Sequence, residues 1–149
     1  MAFTVSRRTA LAPEAAYAAL TDLAEHTRHV PLTDVEVPEG GLRLGAEVVA
    51  RTRLGPLAAA DRMLVMALEP GRRLRLVKVG WFLRGWADIT VEPDPVSPGG
   101  SLVTWTEELW LSGLRRVTRP AGDRLGSALF SRVVDGLLAR AVADGGSGP

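Results

Sequence analysis

Glu107 stands in a run, Val103, Trp105, Glu107, Leu109 and Leu111, whose members alternate with Thr104, Thr106, Glu108 and Trp110. In an extended strand every second side chain points to the same side. The apolar company of Glu107 predicts that its side is covered, which places a carboxylate in an apolar wall. Desolvation raises the pKa of such a group unless a cation pairs with it. A raised carboxyl suits general acid–base work in an aldol-type cyclisation or a dehydration. It also suits two plainer roles, a polar anchor for a ligand or a buried ion pair. Glu108 has the opposite parity and is expected in solvent. Lys78, the only lysine, shares parity with Leu74 and Leu76. It could pair with Glu107, meet a ligand carbonyl, or form a Schiff base if its pKa were depressed. The plainest reading is an end-of-strand lysine that reaches water.

The tryptophans Trp81, Trp86, Trp105 and Trp110 all fall in the later strands. Each brings a large apolar face and one N–H donor, so beside a cavity it can stack on a flat ligand. Core packing is the ordinary alternative. Tyr17, Met63, Arg84, Leu129, Phe130 and Val133 complete the expected lining residues. His26 and His29 are three apart on a short helical segment and face similar directions. The chain has no cysteine and no further histidine, so no metal is expected. His26 is a candidate entrance donor or proton shuttle, against the reading of a surface histidine. Asp61 precedes Met63 and Val65 and is expected to make polar contacts across the sheet with Arg84 and Asp88. Arg115, Arg116, Arg119 and Arg124 lack interleaved aromatics and are diluted by Asp123 and Asp135, which argues against nucleic acid. There is no Walker loop, GxGxxG, nucleophile elbow or HExxH, and no cofactor is expected.

The pattern of the chain predicts the elements that hold these groups. Residues 3–11 read as a strand, with Phe3, Val5, Arg7 and Thr9 on one side. Ala12-Pro13-Glu14 opens a helix: proline fits the first turn, and Glu14 suits the positive end of the dipole. Ala16, Leu20 and Leu23 follow at helical spacing. A second short helix is predicted over 22–29, stopping before Pro31. Strands then alternate with turn signals, over 35–37, 46–54, 60–68, 72–79, 83–91 and 102–111. The turns carry Gly40-Gly41, Gly55-Pro56, Pro70-Gly71, Gly80 and a Pro/Gly-rich loop over 93–100. Consecutive strands with tight turns predict an antiparallel meander. Leu125, Leu129, Val133 and Leu137 then repeat every four residues, with Phe130, Val134, Leu138 and Val142 as the adjacent row. This is an amphipathic helix of about five turns. The expected fold class is α+β: a curved antiparallel sheet of about seven strands around a long C-terminal helix, with two short helices after the first strand. Residues 1–144 are expected to form one domain and 145–149 a flexible tail. Cavities between such a sheet and helix are the expected ligand sites.

Composition narrows the function classes. A chain of 149 residues is one domain's worth and can bury a core unaided. A hydrophobic content of 46% argues against disorder. The net charge of +1 gives no global attraction to nucleic acid or membrane. No run approaches the ~18 apolar residues of a membrane span, and the N-terminus does not read as a signal peptide. Without cysteine there is neither disulfide nor thiolate nucleophile. Cytoplasm is the default location. The preference for arginine over lysine reads as genome composition.

In their order, several stretches resemble a known superfamily. They are Thr9-Ala10-Leu11-Ala12-Pro13-Glu14-Ala15-Ala16-Tyr17-Ala18-Ala19-Leu20-Thr21-Asp22, the strand from Gly85-Trp86-Ala87-Asp88 to Glu92-Pro93, and Leu102-Val103-Thr104-Trp105-Thr106-Glu107-Glu108-Leu109. The chain resembles the START-like, Bet v 1-like (SRPBCC) helix-grip proteins of polyketide cyclase/dehydrase and lipid-transport type. His29-Val30-Pro31-Leu32-Thr33 and Asp61-Arg62-Met63 are similar to an actinobacterial branch. The resemblance implies the fold and a pocket, but no single reaction. Many members carry a tryptophan where His29 sits, which implies a more polar entrance here. Three readings follow. The favoured one is binding of a lipophilic or aromatic small molecule between sheet and helix. The second is a cyclase or dehydratase that uses a pocket carboxylate. The third is a non-catalytic interaction or stress-response module. The expected partner is a hydrophobic or aromatic small molecule, with no nucleic acid and no integral membrane association, in a monomer or homodimer.

Overall fold

The computed structural model describes residues 2–30, 32–54 and 56–145, apart from the side chains of 29, 54, 57, 115–117, 119, 121 and 122. The element order is β1 (Phe3–Thr9), α1 (Pro13–Thr21), α2 (Leu23–His29), β2 (Thr33–Glu36), β3 (Glu47–Leu54), β4 (Leu57–Glu69), β5 (Arg73–Lys78), β6 (Leu83–Pro93), β7 (Ser101–Leu111) and α3 (Arg115–Gly145). This is the expected α+β helix-grip order. One seven-stranded sheet runs β1-β7-β6-β5-β4-β3-β2, antiparallel at every pairing. The meander therefore spans β2 to β7, and β1 closes onto β7.

Local chemistry sets the boundaries. Pro13 starts α1, where its missing N–H costs nothing. Asp22 ends one helix and begins the next. Its backbone N–H donates to the Ala18 carbonyl, and its side chain accepts from the Glu25 N–H, as an N-cap should. In β6 and β7 buried and less buried residues alternate, so each strand offers one face to the interior. Val48, Val65, Leu74, Leu76, Ile89, Val91, Val103 and Trp105 lie on that face. They pack with Ala16, Leu20 and Leu23 and with Val133, Val134, Leu137 and Leu138 of α3.

The final helix differs from its expectation. It runs for 31 residues and passes through Pro120. Its buried face is narrower than the expected stripe, for Leu125 is 73% exposed and Val142 is also exposed. The helix sits close against the β1 edge. A Cβ on Gly126 would lie 2.4 Å from the Phe3 ring, so glycine permits that approach. Held there, α3 leaves the inner faces of β3 and β4 incompletely covered. The expectations for Pro31, Gly55, the His29 side chain, the side chains of Arg115, Arg116 and Arg119, and the tail beyond 145 lie outside the described residues.

Candidate functional site

A cavity of about 190 Å³ opens between the inner face of the sheet, α2 and α3. Val48, Ala50, Met63, Leu76, Leu83, Ala87, Leu109, Leu129 and Phe130 give it apolar walls. His26, Trp105, Phe130 and Phe3 form a row of tilted rings along one side, with centroids 5.5, 4.9 and 6.0 Å apart in turn. Such spacings favour aromatic contact. His26 is buried, and its Nε2 donates to the Leu20 carbonyl at 3.0 Å; a carbonyl only accepts, so that nitrogen carries the proton.

Three charged groups stand together in this mostly apolar wall. The Lys78 ammonium lies 2.5 Å from Asp61 Oδ2 and 3.4 Å from Glu107 Oε1, and 3.7 Å from the Met63 sulfur. Glu107 Oε2 accepts from the Trp105 indole N–H at 3.1 Å. The side chains of Lys78, Asp61 and Glu107 are 8%, 15% and 2% exposed. Register explains how Lys78 reaches Glu107 from two strands away. Lys78 pairs with Gly85, and Glu107 pairs with Ala87, so the intervening strand presents only a hydrogen and a methyl between them. Gly85 is required there in any case. Its φ is +142°, and a Cβ would fall 1.8 Å from the Glu108 carbonyl oxygen.

The electrostatics follow from burial and charge count. Burial pushes the Glu107 carboxyl above its usual range, and the attraction of Lys78 and the Trp105 hydrogen bond offset this only in part. Burial also works against the Lys78 ammonium, but Glu107 and Asp61 together hold it above the ordinary lysine value. One cation faces two carboxylates. A proton held by Glu107 makes the cluster neutral, and removal of that proton leaves a buried net negative charge. The arrangement can therefore anchor a polar group or exchange a proton.

Glu107, Lys78, His26, Trp105, Met63, Leu129 and Phe130 come together on the cavity wall. The other candidates lie elsewhere. Trp86 and Trp110 have the opposite strand parity. Trp86 donates to Glu108 Oε2 at 3.3 Å and lies 4.7 Å beneath the Arg75 guanidinium. Trp81 is 82% exposed in the β5–β6 turn, against Phe82. Tyr17 donates to the Arg73 carbonyl, beside a separate shallow groove. Val133 is core, and Arg84 is exposed. Several expectations are corrected. Lys78 is held inside by two carboxylates instead of reaching water. His26 is buried against Trp105 instead of lying at the surface. Glu108 is buried by the outer-face indole instead of being solvated. Asp61 pairs with Lys78, while Asp88 takes Arg73 and Arg75. Asp61 is the charged lining residue that sequence reasoning leaves outside the site, although its shared parity with Met63 and Val65 points inward; Thr33 and Thr52 line the cavity without being singled out by it. Among the described residues no group of three or more His, Asp or Glu is placed to hold a metal ion, and no helix is long and apolar enough to cross a membrane.

Comparison with known proteins agrees with this architecture. The protein TTHA0849 from Thermus thermophilus is 18% identical, with a TM-score of 0.71 over 97% of this chain and 99% of its own. A START superfamily protein from Mycobacterium smegmatis is 10% identical, with a TM-score of 0.72 over 95% and 97%. Ara h 8.0201 is 14% identical, with a TM-score of 0.65 over 93% and 98%. At these identities the likeness is one of fold. No curated protein sequence matches the chain. Residues 1–144 match the family model described as polyketide cyclase / dehydrase and lipid transport, and the chain belongs to that family.

Proposed function

We propose that the chain binds a small lipophilic or aromatic molecule in the cavity between its sheet and α3, with the Asp61–Lys78–Glu107 cluster as polar anchor. The observation that carries this reading is an apolar cavity of about 190 Å³ with charged groups confined to one wall. Pockets with apolar walls and a few convergent polar groups are the usual form of small-molecule sites. An apolar cavity of about 150 Å³ holds benzene, so this one suits a molecule of one or two rings. Native mass spectrometry of freshly purified protein should show a co-purified small molecule, or tryptophan fluorescence should respond saturably to bicyclic aromatics. A clean mass together with no saturable response to such compounds would defeat the reading.

A second reading is favoured by one observation, the buried Glu107 carboxyl with its raised pKa at the cavity wall. It could serve as general acid and base in a cyclisation or dehydration. For a substrate once identified, Glu107→Gln should retain binding and lose turnover. Full turnover by that variant would remove Glu107 from the chemistry.

A further inference from the structure

The hydrogen-bond inventory of the cavity wall specifies the polar end of its ligand. An ammonium has three N–H donors and no acceptor. Those of Lys78 face Asp61 Oδ2, Glu107 Oε1 and the Met63 sulfur, so none is left for an incoming anion. His26, the other titratable group on the wall, gives its Nε2 proton to the Leu20 carbonyl. The hydroxyls of Thr33 and Thr52 lie 2.8 Å apart, one donating to the other, so at most one neutral donor is left on that side. In contrast, Asp61 Oδ1 is buried and accepts no hydrogen bond among the described residues. A buried carboxylate oxygen without a donor is costly, and a donor from outside relieves that cost. The charge count points the same way: the cluster is neutral with a proton on Glu107 and negative without it, so in neither state does it attract an anion.

From this placement we infer that the ligand of the cavity presents a neutral hydroxyl or N–H donor to Asp61, and that molecules ending in a carboxylate or phosphate are excluded from this wall. The inference rests on the binding reading above and narrows it to phenols, enols, alcohols and amides on a small apolar body. Asp61 lines the cavity, and a ligand donor that meets Oδ1 on a turn of the carboxyl does not have to break the Lys78 pair, because Oδ2 carries it. A ligand carboxylate would have to displace Asp61 or Glu107 from Lys78 and strand it in the wall, which breaks a buried pair.

Three probes of one shape test this on the full chain at neutral pH: naphthalene, 2-naphthol and 2-naphthoate, each titrated by calorimetry. A hydrogen bond to a charged acceptor predicts that 2-naphthol binds about tenfold or more tighter than either of the others. Asp61→Asn removes the charge and turns part of the acceptor into a donor. It should reduce the preference for 2-naphthol over 2-naphthoate by about tenfold. Equal or tighter binding of 2-naphthoate by the unmodified protein overturns the inference while leaving the cavity reading in place. So does an unchanged ratio in an Asp61→Asn variant with a native near-UV spectrum. If none of the three binds, the cavity reading itself fails and the inference with it. The comparison on the unmodified protein decides the question if the variant does not fold.

Discussion

Replacing Lys78 by methionine removes the cation from a cluster whose two carboxylates stay behind. The side chains are 8% exposed at Lys78, 2% at Glu107 and 15% at Asp61, so water does little to screen them. Breaking a buried pair by removing one partner costs about 3–5 kcal/mol. With a urea slope of about 2 kcal/mol per molar, a loss of about 4 kcal/mol lowers the midpoint by about 2 M. The loss must depend on pH. Without Lys78 the Glu107 carboxyl loses the attraction that offsets its burial, so the native state binds more protons than the unfolded state above the ordinary carboxylate range. Stability of the variant then rises as pH falls through that window. Urea unfolding followed by circular dichroism should show the large loss near pH 7 and a much smaller one near pH 4.5. Adding Glu107→Gln to the Lys78 variant should recover part of the loss at neutral pH, because the pair is coupled. An equal loss at both pH values, or a Lys78→Met protein as stable as the parent at neutral pH, would refute the account of the cluster.

Three further outcomes follow from the same geometry. Because the native Glu107 carboxyl is raised by burial, it takes up a proton on folding, and stability falls as pH rises from the ordinary carboxylate range through the raised value. Glu107→Gln keeps an acceptor for the Trp105 indole and should flatten that decline in a series of melting temperatures; an unaltered slope contradicts the assignment. Gly85→Ala places a methyl 1.8 Å from the Glu108 carbonyl oxygen and should cost about 3 kcal/mol by urea unfolding, whereas a neutral effect would mean that β6 does not approach β7 in this way. Arg62→Ala removes a surface pair with Glu47 and should leave the midpoint nearly unchanged; a loss comparable to that of Lys78→Met would show that burial does not govern these pairs.

Much of the architecture is legible because the sheet is wet on one side only. Alternation in Leu74, Leu76 and Lys78 and in Val103, Trp105 and Glu107 marks the inner face without reference to any neighbour. Glycine and proline between the strands mark the turns, and all seven strands lie within a few residues of their expected places. The helix start is less legible, because a proline reads as a boundary, yet α3 begins before Pro120 and runs through it. The inward direction of the carboxylate at 107 can be read from its strand. The partner of Lys78 cannot, because it depends on the register of β4 against β5, where Met63 lies opposite Lys78, and register is a tertiary quantity. Parity separates Trp105 from Trp86 and Trp110, and the structure adds that the covered side of β7 is the one that borders the cavity. Burial of Glu108 on the outer face has no sequence signal either, since it arises from Trp86 packing over it from the adjacent strand.

The central claim is that the space between the sheet and α3 receives a small, largely apolar molecule. The four tryptophans report on it separately, because Trp105 lines the cavity and Trp81, Trp86 and Trp110 do not. The most direct measurement is a titration of the 15N-labelled protein with 2-naphthol, following the four indole N–H signals by NMR. The account predicts a saturable shift of the Trp105 signal, whose N–H is bonded to Glu107, with the other three unmoved. A stationary Trp105 signal at saturating 2-naphthol, or a response confined to the other three indoles, would contradict it.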